Sequence, residues 1–137
     1  MPLFVSDVSD REAVLYVPKN DAIASSSQEF AESEGTSTAT RVRTTTLDDI
    51  LVRSNVTAID FLSMDIELHE PSALKGFSIA RFRPRLVCIE AHIEVRQAIL
   101  DYFARAGYAI VGKYLRADGD NIWFVPGPAY VPSAARK

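Results

Sequence analysis

The sequence predicts an α/β fold: the back half of a doubly wound sheet, with parallel strands and a closing antiparallel hairpin. Three observations carry this. The runs at 58–64 (Ala-Ile-Asp-Phe-Leu-Ser-Met) and 85–91 (Arg-Leu-Val-Cys-Ile-Glu-Ala) are nearly continuously apolar, the pattern of strands buried on both faces of a parallel sheet. Helical segments separate and follow them, and strands alternating with helices pair in parallel through right-handed crossovers. After the last helix, two strand-like runs flank Asp118-Gly119-Asp120, which is a hairpin signal.

In chain order, Leu3 to Val5 is a short apolar run, and Ala13 to Val17 reads as a strand stopped by Pro18. Residues 20–39 turn small and polar, with Ser25-Ser26-Ser27 and Thr36-Ser37-Thr38. By composition this is a long loop, either solvated or a lid that orders over a substrate. Thr40 to Thr45 has the β-branched alternation of a strand. Thr46-Leu47-Asp48-Asp49 fits a capping box, with Thr46 accepting from an early helix N–H and Asp49 reaching back to the Thr46 N–H. That helix runs to about Ser54, its apolar stripe being Leu47, Ile50 and Leu51. After the 58–64 strand, Pro71 suits the first turn of a helix whose apolar side is Leu74 and Phe77, and Pro84 closes the unit. From Ile93 to Ala106, Val95, Ile99, Phe103 and Ala106 recur at helical spacing, and Gly107 supplies a left-handed stop. Tyr108 to Leu115 and Asn121 to Val125 form the hairpin. One domain over residues 1–126 is expected, with a loose tail at 127–137.

Composition narrows the function classes. The 137 residues suit one domain, and 47% hydrophobic content is enough for a core. A net charge of −3 argues against nucleic-acid binding by phosphate neutralisation and against a polybasic membrane anchor. The single cysteine, Cys88, excludes an intrachain disulfide and reads as a buried small hydrophobe. No window approaches a membrane span, and the N-terminus lacks the pattern of a signal peptide, so a cytoplasmic location is expected. The six glycines contain no G-x-G spacing, hence no Gly-rich dinucleotide or phosphate loop.

In such a sheet, ligands bind beyond the carboxyl ends of the strands. Two polar clusters lie there: Asp65-Ile66-Glu67-Leu68-His69-Glu70 and Glu90-Ala91-His92. They bring both histidines of the chain to one rim. If 65–69 is extended, Asp65, Glu67 and His69 point to one side. Two carboxylates and an imidazole suit either a divalent metal or removal of a hydroxyl proton. The spacing is no known tight ligand signature, and no metal site is assigned. Strand ends are also polar simply because chains exit into water there.

The ordered pieces Thr46-Leu47-Asp48-Asp49-Ile50-Leu51, Ile59-Asp60-Phe61-Leu62-Ser63-Met64-Asp65-Ile66-Glu67, Leu74-Lys75-Gly76 and Arg83-Pro84-Arg85-Leu86-Val87-Cys88-Ile89-Glu90 resemble the FkbM family of methyltransferases. Val5-Ser6-Asp7 and Leu15-Tyr16-Val17 look like its segment after the third strand, and Asn121 to Pro126 like part of its closing hairpin. The resemblance spans about residues 4–126 and implies a partial Rossmann-like class I methyltransferase sheet. It implies transfer of a methyl group from S-adenosylmethionine to a hydroxyl, on a sugar or a secondary metabolite. By the resemblance, Asp65 and Glu67 match the motif ending the family's fourth strand, Glu70 that motif's last acid and Glu90 the acid ending the fifth strand, which His92 follows; Asp65, Glu67, Glu90 and His92 are the candidate catalytic residues, and Asp7 and Asp65 match cofactor-facing positions. Met1 corresponds to about the family's third strand, so the main cofactor-binding loop is expected to be missing from the chain. Leu68 stands where the family has glycine. The expected partners are a small-molecule or glycan acceptor, with no nucleic acid and no membrane, and either a second copy or a chain supplying the front half to cover the 58–64 edge. Two other readings remain: a non-catalytic remnant or interaction module that keeps the back half of the fold, and a carboxylate–histidine metal-binding domain.

Overall fold

The computed structural model describes residues 3–18, 24–33 and 37–128. Two sheets share the elements. In the first, β1 (Leu3–Val5) runs parallel to β3 (Ser37–Thr45), and β2 (Glu12–Pro18) pairs antiparallel with β3 on its other side. The second has the order β4-β5-β7-β6, from Phe61–Met64, Leu86–Glu90, Asn121–Pro126 and Tyr108–Ile110. There β4 and β5 are parallel, Phe61 opposite Leu86 through Met64 opposite Ile89, while β7 lies antiparallel to both β5 and β6. The parallel pair and the closing hairpin are as the sequence predicts.

The helices follow from their caps and stripes. α1 is Gln28–Ser33, α2 Leu47–Arg53, α3 Glu70–Lys75, α4 Ile79–Phe82 and α5 Ile93–Arg105. Pro71 sits in the first turn of α3, where its missing N–H costs nothing. After α5 comes Gly107 at φ +77°, a conformation that glycine adopts without a Cβ penalty.

The core lies between one face of the second sheet and helices α3–α5. Met64, Val87, Ile89, Ile122 and Phe124 meet Ala73, Leu74, Phe82, Ile99 and Phe103. Phe103 stacks on Phe124 at 4.2 Å, and the Tyr108 hydroxyl donates to the Pro84 carbonyl at 2.8 Å. Burial of each such aromatic contributes roughly 1.5–3 kcal/mol.

Three expectations change. The 58–64 strand is shorter, Phe61–Met64, and is an edge buried on one face only: Phe61 is 51% exposed while Met64 is 6% exposed. Its continuous apolar run therefore marks a strand that is the edge of the sheet among the described residues, not a two-sided burial. The 20–39 loop contains α1 and the start of β3; residues 20–23 and 34–36 lie outside the described residues. The hairpin arm at 108–115 is only three residues of strand, because the chain leaves the ladder into a 3-10 turn at Gly112–Tyr114. At the first residue of the expected tail the Gly127 N–H donates to the Gly107 carbonyl at 2.8 Å; residues 129–137, the rest of that tail, lie outside the described residues.

Candidate active site

The Thr46-Leu47-Asp48-Asp49 motif builds the platform beneath the site. The Thr46 hydroxyl accepts from the Asp49 N–H at 3.1 Å, an N-cap for α2. The reciprocal half of the capping box runs through a third residue. The Thr46 N–H donates to the Ser9 hydroxyl at 3.0 Å, and that hydroxyl donates to the Asp49 carboxylate. Asp48 reaches forward to accept from the N–H and hydroxyl of Ser78, at the start of α4. Both aspartates are thus tied into structure. Gly76 is required by close approach: a Cβ there would lie 2.4 Å from the Ser6 carbonyl oxygen. The motif and this glycine together hold the turn after β1 against the α3–α4 corner.

Beyond the carboxyl end of β4 the chain turns sharply. Glu67 and Leu68 both have positive φ, 54° and 71°. This turn breaks the alternation assumed for 65–69, and so separates Glu67 from His69. Glu67 turns toward the end of β5, whereas His69 turns toward the first sheet. His69 Nε2 lies 3.2 Å from the Ser6 hydroxyl and Nδ1 lies 2.9 Å from the Ser26 hydroxyl, with Phe4 against its ring at 4.4 Å. Burial lowers the His69 pKa. His69 is therefore a structural bridge and not a member of the polar cluster.

Glu67, Glu90 and His92 do converge. His92 Nε2 is 3.2 Å from Glu90 Oε2 and 3.6 Å from Glu67 Oε2. These side chains are only 16–34% exposed. Glu90 is pushed up to about 7, first by burial and then by the proton and charge it shares with Asp65. Glu67 is raised as well, by burial and by the neighbouring charge of Asp65. Asp65 is exposed and adjoins the cluster. Glu70 is fully buried behind it; its Oε1 accepts from the Ile66 N–H at 2.9 Å, and burial raises its pKa. Asp7 is not brought into the cluster. It is exposed beside His69, which feels its charge, and accepts from the Ser6 hydroxyl at 3.1 Å.

A cavity of about 330 Å³ opens at this rim, lined by Phe4, Leu15, Ala24, Asp65, Ile66 and Glu67. Ser25, fully buried, closes one side of the turn by donating to the Glu67 carbonyl at 2.9 Å. Sequence reading missed Ser6, Ser25 and Ser26 as site-building residues. The triple serine at 25–27 was the available signal, and it reads as loop composition until its partners are known.

A family model described as the methyltransferase FkbM domain matches residues 2–110 of the chain. No curated protein and no solved structure matches it.

Proposed function

The chain belongs to the FkbM methyltransferase domain family, and from that premise we propose that it methylates a hydroxyl of a sugar or secondary metabolite, using S-adenosylmethionine. The observation that carries the reading is the convergence of Glu67, Glu90 and His92 at the carboxyl ends of β4 and β5, beside the rim cavity.

A hydroxyl acceptor must lose its proton as its oxygen attacks. A group titrating near the working pH does this best, and Glu90, at about 7, is so tuned. Burial and then Asp65 and Glu67 raise it, and the His92 imidazole, 3.2 Å from its Oε2, opposes them. The residues present suit the methyl donor on one side. The carboxylates of Asp65 and Glu67 line the cavity and favour a sulfonium cation, and Phe4, Leu15 and Ile66 give it apolar walls. When bound, the donor supplies an electrophilic methyl carbon. Asp65 lines the cavity and would face it, whereas Asp7, matched to the donor by resemblance, stands outside the cluster beside His69. We regard the sheet as the Rossmann-like back half of such an enzyme, because the strand pairing β4-β5-β7 supports that topology. No helix among the described residues is long and apolar enough to cross a membrane. A cytoplasmic setting, where thiols stay reduced, suits the buried Cys88.

A second reading, an interaction module without catalysis, draws on the exposed β4 edge and on Leu68 in the turn. Transfer of label from methyl-tritiated donor at millimolar concentration to hydroxylated acceptors separates the two. The enzyme reading expects labelled product from the wild type, falling on the order of 100-fold in Glu90→Gln and Glu67→Gln, as for loss of a general base. Product formation equal in all three, or none from the wild type, contradicts it.

A further inference from the structure

We propose that Glu67, Glu90 and His92 form a binding site for one divalent first-row cation such as Mn²⁺. This deepens the methyltransferase reading and rests on it for the site's purpose, not for its chemistry; with the cation bound, Glu90 is a ligand instead of the base, and the cation's charge makes an acceptor hydroxyl acidic enough to lose its proton to water. One ligand atom from each residue lies within 4.8 Å of the other two. The two separations from His92 Nε2, 3.2 and 3.6 Å, are close to the roughly 3 Å between adjacent ligand atoms when bonds of about 2.1 Å meet at right angles. The residues come from two strand ends, Glu67 from the turn after β4 and Glu90 and His92 from the end of β5. The frame that positions them is therefore the parallel pair itself.

The charge distribution points the same way. Four carboxylates, Asp65, Glu67, Glu70 and Glu90, influence one another here, and His92 is the basic group among them. Among the described residues no lysine or arginine ion-pairs with any of the four, although Asp10 and Asp60 each have an arginine elsewhere. Glu70 is fully buried, and its Oε2 is sealed from water with no hydrogen-bond partner. Glu90 Oε2 is sealed too, with the imidazole Nε2 opposite it. A carboxylate oxygen sealed from water without a hydrogen bond is an open ligand position, which a proton or a cation fills. Two carboxylate oxygens and one imidazole nitrogen favour Mn²⁺ and its neighbours over Ca²⁺, which takes oxygen ligands alone. Three protein donors leave positions open on a six-coordinate ion. Those positions suit water or an acceptor oxygen.

The test needs neither donor nor acceptor, so its failure leaves the methyl-transfer reading standing. The full chain, stripped with chelator and dialysed, is titrated with Mn²⁺ while the electron-spin-resonance signal of free Mn²⁺ is followed. Saturable binding of one ion per chain is expected, weakened at least 10-fold by Glu90→Gln and by His92→Ala and unchanged by the surface control Glu12→Gln. Thermal melting of each variant checks folding, and Mn²⁺ should raise the melting temperature of the wild type but not of Glu67→Gln. No saturable binding below millimolar Mn²⁺ overturns the proposal. So does binding that Glu90→Gln, His92→Ala and Glu67→Gln all leave intact.

Discussion

Glu90 ionises near 7 in the fold against 4.5 for its ordinary value, so the folded chain holds a proton that the unfolded chain has released. Between those values the native state binds more protons, and stability falls as the pH rises from about 4.5 to 7 and is level above. Burial and crowding also raise Glu67 and Glu70, which adds to the same trend. In the metal-free protein, Glu90→Gln should therefore melt above the wild type at pH 8 and close to it near pH 5. The expected gain at pH 8 is about 1–2 kcal/mol, reduced from an upper bound of about 3 by sharing with Asp65 and by the partly open rim. Melting curves across this range check it; parallel wild-type and variant profiles would contradict it. The expectation that strand-end residues are paired mainly with water gives way here, because the β4 turn folds over the end of β5. Leu68 at φ 71° offers a second test. A left-handed leucine costs roughly 1–2 kcal/mol, partly offset in glycine by its freedom when unfolded. Leu68→Gly should leave stability unchanged or raise it by up to about 1 kcal/mol, whereas Leu68→Val, β-branched, should lower it by at least about 1 kcal/mol. A strongly destabilised glycine variant would show that the side chain, not the backbone, governs the turn.

At the scale of elements, the Thr46 cap and Gly76 are separable supports. Thr46→Ala should cost about 1 kcal/mol by loss of the N-cap. Gly76→Ala should cost more, on the order of 2 kcal/mol, because its Cβ would meet backbone 2.4 Å away and the turn at Ser6–Asp7 must move. Urea unfolding of both variants compares them, and an alanine at 76 as mild as one at 46 would contradict the close-approach account. These elements also show what the sequence made legible. Thr46-Leu47-Asp48-Asp49, Pro71 and the stripe from Val95 to Phe103 act through neighbours within a few residues, so periodicity and caps found α2, α3 and α5. Ser9 as the relay in the capping box is thirty-seven residues from Thr46, and no local pattern reveals it. The candidate site divides in the same way. Glu67, Glu90 and His92 were readable as strand-end residues, but the turn that admits Glu67 and removes His69 depends on two left-handed residues that single-sequence alternation cannot show.

Across the whole molecule, the second sheet has helices over one face, while the other carries Phe61, Leu86, Cys88, Trp123 and Val125, with Phe61 stacked near Trp123 at 6.0 Å. Among the described residues β4 ends that sheet with no strand beyond it, and β1–β3 form a separate sheet instead of covering it. Apolar edges recruit strands. Light scattering over a concentration series should show self-association that Phe61→Lys reduces; a monomer at high concentration would contradict this. The same organisation bears on the donor. On the proposed reading the chain offers the donor one wall, the β4–β5 rim, and its sequence has no G-x-G loop, so its affinity alone should be weak, with a dissociation constant above about 1 mM, or less than about 4 kcal/mol.

Weak binding of this kind can still be mapped residue by residue, and that measurement tests the central claim that the β4–β5 rim is a methyl-transfer site. The ¹⁵N-labelled chain is titrated with S-adenosylmethionine to several millimolar while its amide signals are followed. The account predicts concentration-dependent shifts at Asp65–Leu68, Glu90–His92 and Asp7, with the far ends of the same strands near Leu86 and Pro126 unmoved. No shifts at any concentration, or shifts centred away from this rim, would contradict it.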